Sequence, residues 1–417
     1  DTDSVTSTMI TDATIVAAAE VAGVTFTDEE RALMLDGLKG QTRNLLALHE
    51  VKLENATAPA IVFNPLPRPD ALPTGPQRPI VMSRRAPQAR PASLESLAFA
   101  PLTTLADLVR RKQGTSVELT TMYLERLARL DAKLLCVTTL TRDRALAKAR
   151  AADAEIAAGR YKGPLHGIPW GAKDLLAVKG HPTTWGTAPY RDQSFEYDAT
   201  VVERLDAAGA VLIAKLTLGE LAQGDRWYGG MTRNPWKLDQ GASGSSAGPG
   251  SATAAGAVGF AIGSETLGSI SSPSTRNGVT GLRPTFGRVP RTGAMALSWS
   301  MDKLGPMARS VEDCALIFAA LHGPDGKDQS CHAAPFNWDG TAPLRGLRVG
   351  YVKSAFDAPL ERHATKPFDD AVLASLRGLG IDLIPVEIPD LNYNAMRIIL
   401  TAEAGAAFDE LTRSGRV

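Results

Sequence analysis

The sequence predicts an α/β fold: a sheet covered on both faces by helices, behind a small helical N-terminal region. Three observations predict it. Helical patterns alternate with short apolar runs from residue 102 onwards, two helices, the second opened by a capping box, fit within residues 11–50, and ten prolines from Pro59 to Pro101 separate these regions. The expected organisation is a helical hairpin over 1–58, a proline-rich tether over 59–101 and one large domain over 102–417. At 417 residues the chain exceeds what a single compact core needs.

Each element follows in order. Thr27 with Glu30 forms a capping box, and Met34, Leu38, Leu45 and Leu48 fall on one face of the helix it opens, a face that must pack on something. In the stretch FNPLPRPDALPTGPQRP the prolines forbid helix interiors and central strands, leaving an extended segment along the surface. Thr115 with Glu118 caps a helix with Leu119, Met122, Tyr123, Leu127 and Leu130 on its apolar side. An alanine-rich helix from about 142 to 157 ends at Gly159. GIPWGAKDLLAV (167–178), AGAVLIAKL (208–216) and LRVGYV (347–352) are short apolar runs that read as strands, with a helical pattern over 198–207. Short strands alternating with helices indicate a sheet buried on both sides.

Composition narrows the function classes. Forty-five basic residues balance 45 acidic ones, so no surplus points to nucleic acid or an anionic membrane. No run of about 18 apolar residues spans a bilayer. Cys136, Cys314 and Cys331 have neither CxxC spacing nor a histidine pair beside them, which argues against a zinc site or a disulfide framework, and buried or incidental thiols are expected. The first residues, DTDSVTS, fit either an exported protein whose signal is removed or a trimmed cytoplasmic one, and a soluble monomer or homodimer is expected.

The stretch GASGSSAGPGSATAAGAVGFAIGSETLGSISSP (241–273) carries the chemistry. Gly, Ser and Ala make up 23 of its 33 residues, yet the compact run AVGFAIG is of the buried type, so this is no linker. Three nucleophile readings compete. Gly244 to Gly248 matches G-x-S-x-G, with Ser246 as the elbow serine, but its acid and histidine partners would have to come from segments around His322, His332 or His363 that lack a fitting shape. A phosphate loop lacks the GK[ST] that must follow the glycines. The third reading uses Lys173 at the end of a short apolar segment: burial lowers an ammonium towards neutrality, and a neutral lysine activates a serine without histidine.

A resemblance favours the third reading. GPLHGIPWGAKDLLAVKGHPTTWGT, TRNPWKLDQGASGSSAGPGSATAAG, GSETLGSISSPSTRNGVTGLRPTFGRVPRTG and SWSMDKLGPMARSVEDCALIFAAL follow one another as in amidase-signature hydrolases, over about residues 102–417. The resemblance implies an α/β/α sandwich around a large mixed sheet and a catalytic set of Lys173, Ser245 in a cis peptide, and the nucleophile Ser269. Ser269 would attack an amide carbonyl, Ser245 would relay its proton and Lys173 would accept it. The backbone N–H groups of Thr266, Leu267, Gly268 and Ser269 would form the oxyanion hole, and neither metal nor cofactor is implied. Trp170, Trp185, Trp227 and Tyr228, beside these motifs, are the candidate substrate pocket.

This sequence departs from the family pattern Asp-Thr-Gly-Gly-Ser-Ile-Arg, reading Glu265-Thr266-Leu267-Gly268-Ser269-Ile270-Ser271. If Leu267 occupies a position of positive φ, the oxyanion hole is perturbed. Ala242 and Ala247 also replace glycines. His166, Asp174, Ser243, Ser246, Arg283, Arg288 and Arg291 are expected to be structural. Beyond ELTRSGRV the family continues with further helices and sheet, including residues that complete the acyl pocket. The activity expected is hydrolysis of a small-molecule carboxamide, or of a related carbamate (a urethanase-like activity) or ester. ITDATIVAAAEVAGVTFTDEERALMLDGL weakly resembles the small helical subunit of tRNA-dependent amidotransferases. Their glutamine-hydrolysing amidase component is therefore the alternative, and a non-enzymatic binding protein on the same fold is the second.

Overall fold

A computed structural model describes residues 10–66, 68, 72–359 and 364–416, so His363 lies outside the described residues. The chain forms two compact units, one up to Thr57 and one from Ala58. The first holds α1 (Asp12–Ala22) and α2 (Asp28–His49). Thr27 opens α2 as its capping-box residue: its N–H donates to Glu30 Oε2 at 2.7 Å and its Oγ1 accepts from Glu30 N–H at 3.2 Å. Arg31 closes the hairpin by donating to Asp12 (2.6 Å) and to Phe26 O (2.7 Å). The apolar face of α2 is less covered than the sequence suggests. Leu45 and Leu48 stay 54 % and 63 % exposed, because the 11-residue α1 cannot cover a 22-residue helix.

The second unit begins with the proline-rich run. Gln77 exchanges hydrogen bonds with Phe336, Val81 bridges to Asp339, and Ser83 donates its N–H (2.6 Å) and Oγ (2.8 Å) to the Glu312 carboxylate. Polar side chains and one isolated backbone bridge thus hold this proline-rich run in place without a regular strand. Then follow α3 (Leu102–Arg110), α4 (Ser116–Leu134), β1 (Val137–Leu140), α5 (Arg142–Ala157), β2 (Pro169–Lys173), α6 (Thr200–Ala207) and β3 (Val211–Leu216). Two small hairpins, β4 (Arg226–Trp227) with β5 (Gly230–Met231) and β6 (Arg233–Asn234) with β7 (Lys237–Gly241), precede the serine-rich stretch. That stretch forms α7 (Ala247–Ala254), β8 (Phe260–Glu265) and α8 (Ser271–Asn277), with β9 (Thr280–Gly281), β10 (Lys303–Ala308) and α9 (Val311–Leu321) after it.

Six strands make one mixed sheet in the order β1-β3-β2-β8-β10-β9. β2 runs parallel to both β3 and β8, whereas β1, β10 and β9 join antiparallel. Every residue of β2, β3 and β8 is buried, odd and even positions alike, so both faces of the sheet are covered. A second parallel pair, β11 (Arg348–Val352) and β12 (Asp382–Val386), is linked through α10 (Lys353–Phe356) and α11 (Lys366–Gly378), and α12 (Arg397–Ala407) and α13 (Asp409–Arg413) follow.

Two arginines hold the turn between α7 and β8. Arg126 donates to Gly256 O (2.7 Å) and Ala255 O (2.9 Å). Arg309 donates to Thr253 O (3.2 Å), Val258 O (2.9 Å) and Gly259 O (2.9 Å). Charged donors thereby satisfy buried carbonyls in the turn that joins the two serine segments. Among the described residues no helix is long and apolar enough to cross a membrane.

Candidate active site

The sheet order explains how the site assembles. β2 and β8 are parallel neighbours, so Lys173, at the end of β2, and Ser264 and Glu265, at the end of β8, with Thr266 just beyond, emerge at the same end of the sheet. A turn closed by Leu176 N–H on Lys173 O (3.0 Å) ends β2 at the lysine. The Gly244–Ser245 peptide is cis. At Gly244 a Cβ would fall 1.7 Å from Gly224 O, so only glycine fits there. Ser246 N–H donates to Ser269 O at 3.1 Å and Ser243 Oγ meets Ser272 Oγ at 2.7 Å, joining the two serine segments directly.

Lys173 is fully buried. Its Nζ lies 2.8 Å from Ser245 Oγ, 3.1 Å from Ser246 Oγ and 2.8 Å from Ser264 Oγ. Burial pushes the ammonium down to about 7, against the opposing pull of the Asp302 and Glu265 carboxylates. Ser246 donates to Ser264 O (3.0 Å) and accepts from Ser264 N–H (3.2 Å), which occupies its hydroxyl and leaves the elbow reading without a free nucleophile. Ser269 is 8 % exposed, Ser245 1 % and Lys173 0 %, so access rises from lysine to Ser245 to Ser269.

The loop after β8 settles the question raised by Leu267. The left-handed residue is Gly268, at φ +89°, and Leu267 is not among the residues of positive φ; its side chain is 53 % exposed. Among the described residues no partner takes the N–H groups of Leu267 or Ser269, which leaves both donors for a ligand. Glu265 fixes the far end of the loop by accepting from Ile270 N–H (2.8 Å), Ser271 N–H (2.9 Å) and Ser271 Oγ (3.0 Å). Burial pulls its carboxyl up, but the N–H groups of Ser271, Ile270 and Gly268 outweigh that and hold it below the usual carboxylate range. The serine that replaces the family's arginine at 271 thus joins this anchor, and Arg283 reaches the same carboxylate at 3.5 Å.

The four candidate pocket aromatics divide. Trp170 is fully buried and stacks on Phe260 (centroids 6.0 Å apart, planes 8° apart), so it is core rather than pocket lining. The reason is strand alternation: Trp170 lies three residues before Lys173 on β2 and leaves the opposite face of the sheet. Trp185 is also packed away, against Tyr190, Phe195 and Phe408. Trp227 and Tyr228 are half-buried and meet edge to face at 4.7 Å. Their hairpin follows Asp225, whose carboxylate accepts Ser243 N–H at 2.9 Å, tying it to the serine turn.

Asp174 forms a fully buried ion pair with Lys215 at 2.7 Å and accepts Thr184 N–H at 3.1 Å. Lys215 also donates to Pro182 O at 2.8 Å, and its ammonium is lowered by burial despite the Asp174 charge. Lys215→Met leaves a buried carboxylate unpaired, so a destabilisation of about 3–5 kcal/mol is expected, read as a shift of the urea midpoint; a shift worth less than about 1 kcal/mol would contradict it. Arg288 donates to Ala334 O and Arg291 binds Asp328; His166 is buried against Glu155. Lys215, Ser264, Asp302 and Lys303 were missed by sequence reasoning, because their partners lie on other strands. Cys136 and Cys314 are buried and Cys331 is half-buried, all three as free thiols.

Comparison with known proteins places this geometry. A glutamyl-tRNA(Gln) amidotransferase subunit of Azotobacter vinelandii is 41 % identical over 317 residues, covering 73 % of this chain and 65 % of that protein. The chain thus spans less than two thirds of that curated relative's length. The crystal structure of native peptide amidase from Stenotrophomonas maltophilia superposes with a TM-score of 0.68 at 35 % identity, covering 76 % of this chain and 69 % of that one. The corresponding glutamyl-tRNA(Gln) amidotransferase subunit of Thermotoga maritima gives a TM-score of 0.64 at 27 % identity, over 78 % and 71 %. The amidase-signature resemblance and its mixed α/β fold are therefore correct: with the Amidase family model matching residues 118–414, this chain belongs to the amidase family.

Proposed function

We propose that this chain hydrolyses the C–N bond of a carboxamide through an acyl-enzyme on Ser269, with Lys173 as base and Ser245 as relay. The observation that carries the reading is the buried Lys173 amine, lowered to about 7 and 2.8 Å from Ser245 Oγ. Ser269 Oγ attacks the carbonyl carbon while its proton passes to Ser245 and the Ser245 proton passes to Lys173. N–H groups of the 266–269 loop donate to the developing oxyanion. Lys173 then returns the proton, through Ser245, to the departing amine, and water repeats the sequence to release the acid. Base, relay and nucleophile are all side chains, so the step needs neither metal nor cofactor. Among the aromatics, half-buried Trp227 and Tyr228 support a pocket role.

A panel of aryl amides, peptide amides, carbamates and esters tests the reading, with intact-mass detection of a fluorophosphonate adduct. Turnover of amides and an adduct on Ser269 are expected; an adduct on Ser246 alone would overturn it.

The second reading, release of ammonia from glutamine for an amidotransferase, is favoured by the 41 % identical amidotransferase relative. It predicts glutaminase activity only with partner subunits and none on the amide panel.

A further inference from the structure

Thr266 is the first residue beyond β8 and opens the turn that carries Ser269. Two adjacent residues hold it by different atoms. Thr266 Oγ1 donates to Asp302 Oδ1 at 2.6 Å, and Lys303 Nζ donates to Thr266 O at 3.1 Å. The other Asp302 oxygen accepts Leu297 N–H (2.8 Å) and Ser298 N–H (2.9 Å). Burial pulls the Asp302 carboxyl up, and the Thr266 hydroxyl and the N–H groups of Ser298 and Leu297 oppose that rise. Asp302 and Thr266 are 9 % and 6 % exposed, so this contact is shielded from water.

The next residues are held through their backbone: Gly268 N–H donates to the Glu265 carboxylate, Gly268 O accepts Ser272 N–H (2.8 Å) and Ser269 O accepts Ser246 N–H (3.1 Å). Leu267 is exposed, and a Cβ on Gly268 would meet nothing within 4 Å. The carboxylate of Glu265 anchors the same stretch, through Gly268, Ile270 and Ser271. The N–H groups of Leu267 and Ser269 are therefore aimed from both sides, by Asp302 with Lys303 at Thr266 and by the bonds that Glu265, Ser272 and Ser246 make to residues 268 and 269.

We propose that Asp302 and Lys303 are positioning residues that clamp Thr266 and thereby aim the N–H groups of Leu267 and Ser269 at the developing oxyanion. This inference rests on the proposed hydrolase reading. Asp302 also bears on the base. The charged groups facing Lys173 are Asp302 and Glu265, whereas its neighbours Asp174 and Lys215 neutralise each other. Loss of the Asp302 charge disfavours protonated Lys173, so the neutral amine persists to lower pH.

The test uses the full chain, an aryl amide and fluorophosphonate titration of active sites. Thr266→Val is expected to lower kcat per titrated site by about 10–100-fold with KM changed less than about 3-fold, and Thr266→Ser to restore it. Lys303→Met should lower kcat by about 3–10-fold. Asp302→Asn should move the acid limb of kcat/KM to lower pH, while Thr266→Val leaves that limb in place. Thr266→Val and Lys303→Met both turning over within about 2-fold of wild type per titrated site would overturn the clamp. A wild-type protein with neither adduct nor turnover would overturn the hydrolase reading and the clamp together.

Discussion

Ser269→Ala is expected to lower amide turnover by about 10³-fold or more and to abolish the fluorophosphonate adduct. Alanine removes the hydroxyl on which the proposed acyl-enzyme forms, and the serines beside Lys173 are already engaged. Ser245 is 1 % exposed and sits against Lys173, while Ser246 already donates to Ser264 O. The fold should be untouched, because alanine removes only one hydroxyl and Ser246 N–H bonds the backbone carbonyl of residue 269, which alanine keeps. Residual turnover within about 10-fold of wild type, measured on the best substrate of the panel, would remove Ser269 from the nucleophile role.

Lys173→Ala is expected to cost about 10³-fold in kcat/KM, and Lys173→Arg should rescue none of it, since a guanidinium stays protonated at any working pH. The same residue sets the pH profile. Its folded-state amine is lowered from the ordinary 10.5 to about 7, so the neutral, proton-accepting form grows as pH rises through 7 and is nearly complete one to two units above. Activity should rise through that window and then level off. The cause is desolvation, so the limb should depend only weakly on salt, which screens exposed charges far more than buried ones. A profile flat from about pH 6 to 8 with chemistry rate-limiting would exclude Lys173 as the base.

The sequence was informative where neighbours along the chain make the contact. Capping boxes at Thr27 and Thr115 act over three residues, and both appear in the structure as read. Lys173 could be singled out only through the ordered motifs of the family resemblance, since a lysine after an apolar stretch is by itself more often a surface residue. What stayed hidden depends on strand pairing. Ser264 meets Lys173 only because β8 lies beside β2, and Asp302 meets Thr266 only because β10 returns antiparallel to β8. Trp170 is a different lesson, since its distance of three residues from Lys173 already placed it on the far side of a strand. Leu267 needed a backbone angle, which residue identity does not supply.

The division of labour between Leu267 and Gly268 has a consequence for variation. The loop's conformational demand falls on Gly268, while residue 267 points outward with half its surface in water. Position 267 therefore has room for side chains of different size and polarity without strain on the backbone that carries Ser269, so sequence change in this loop is expected to collect at 267 and to spare 268.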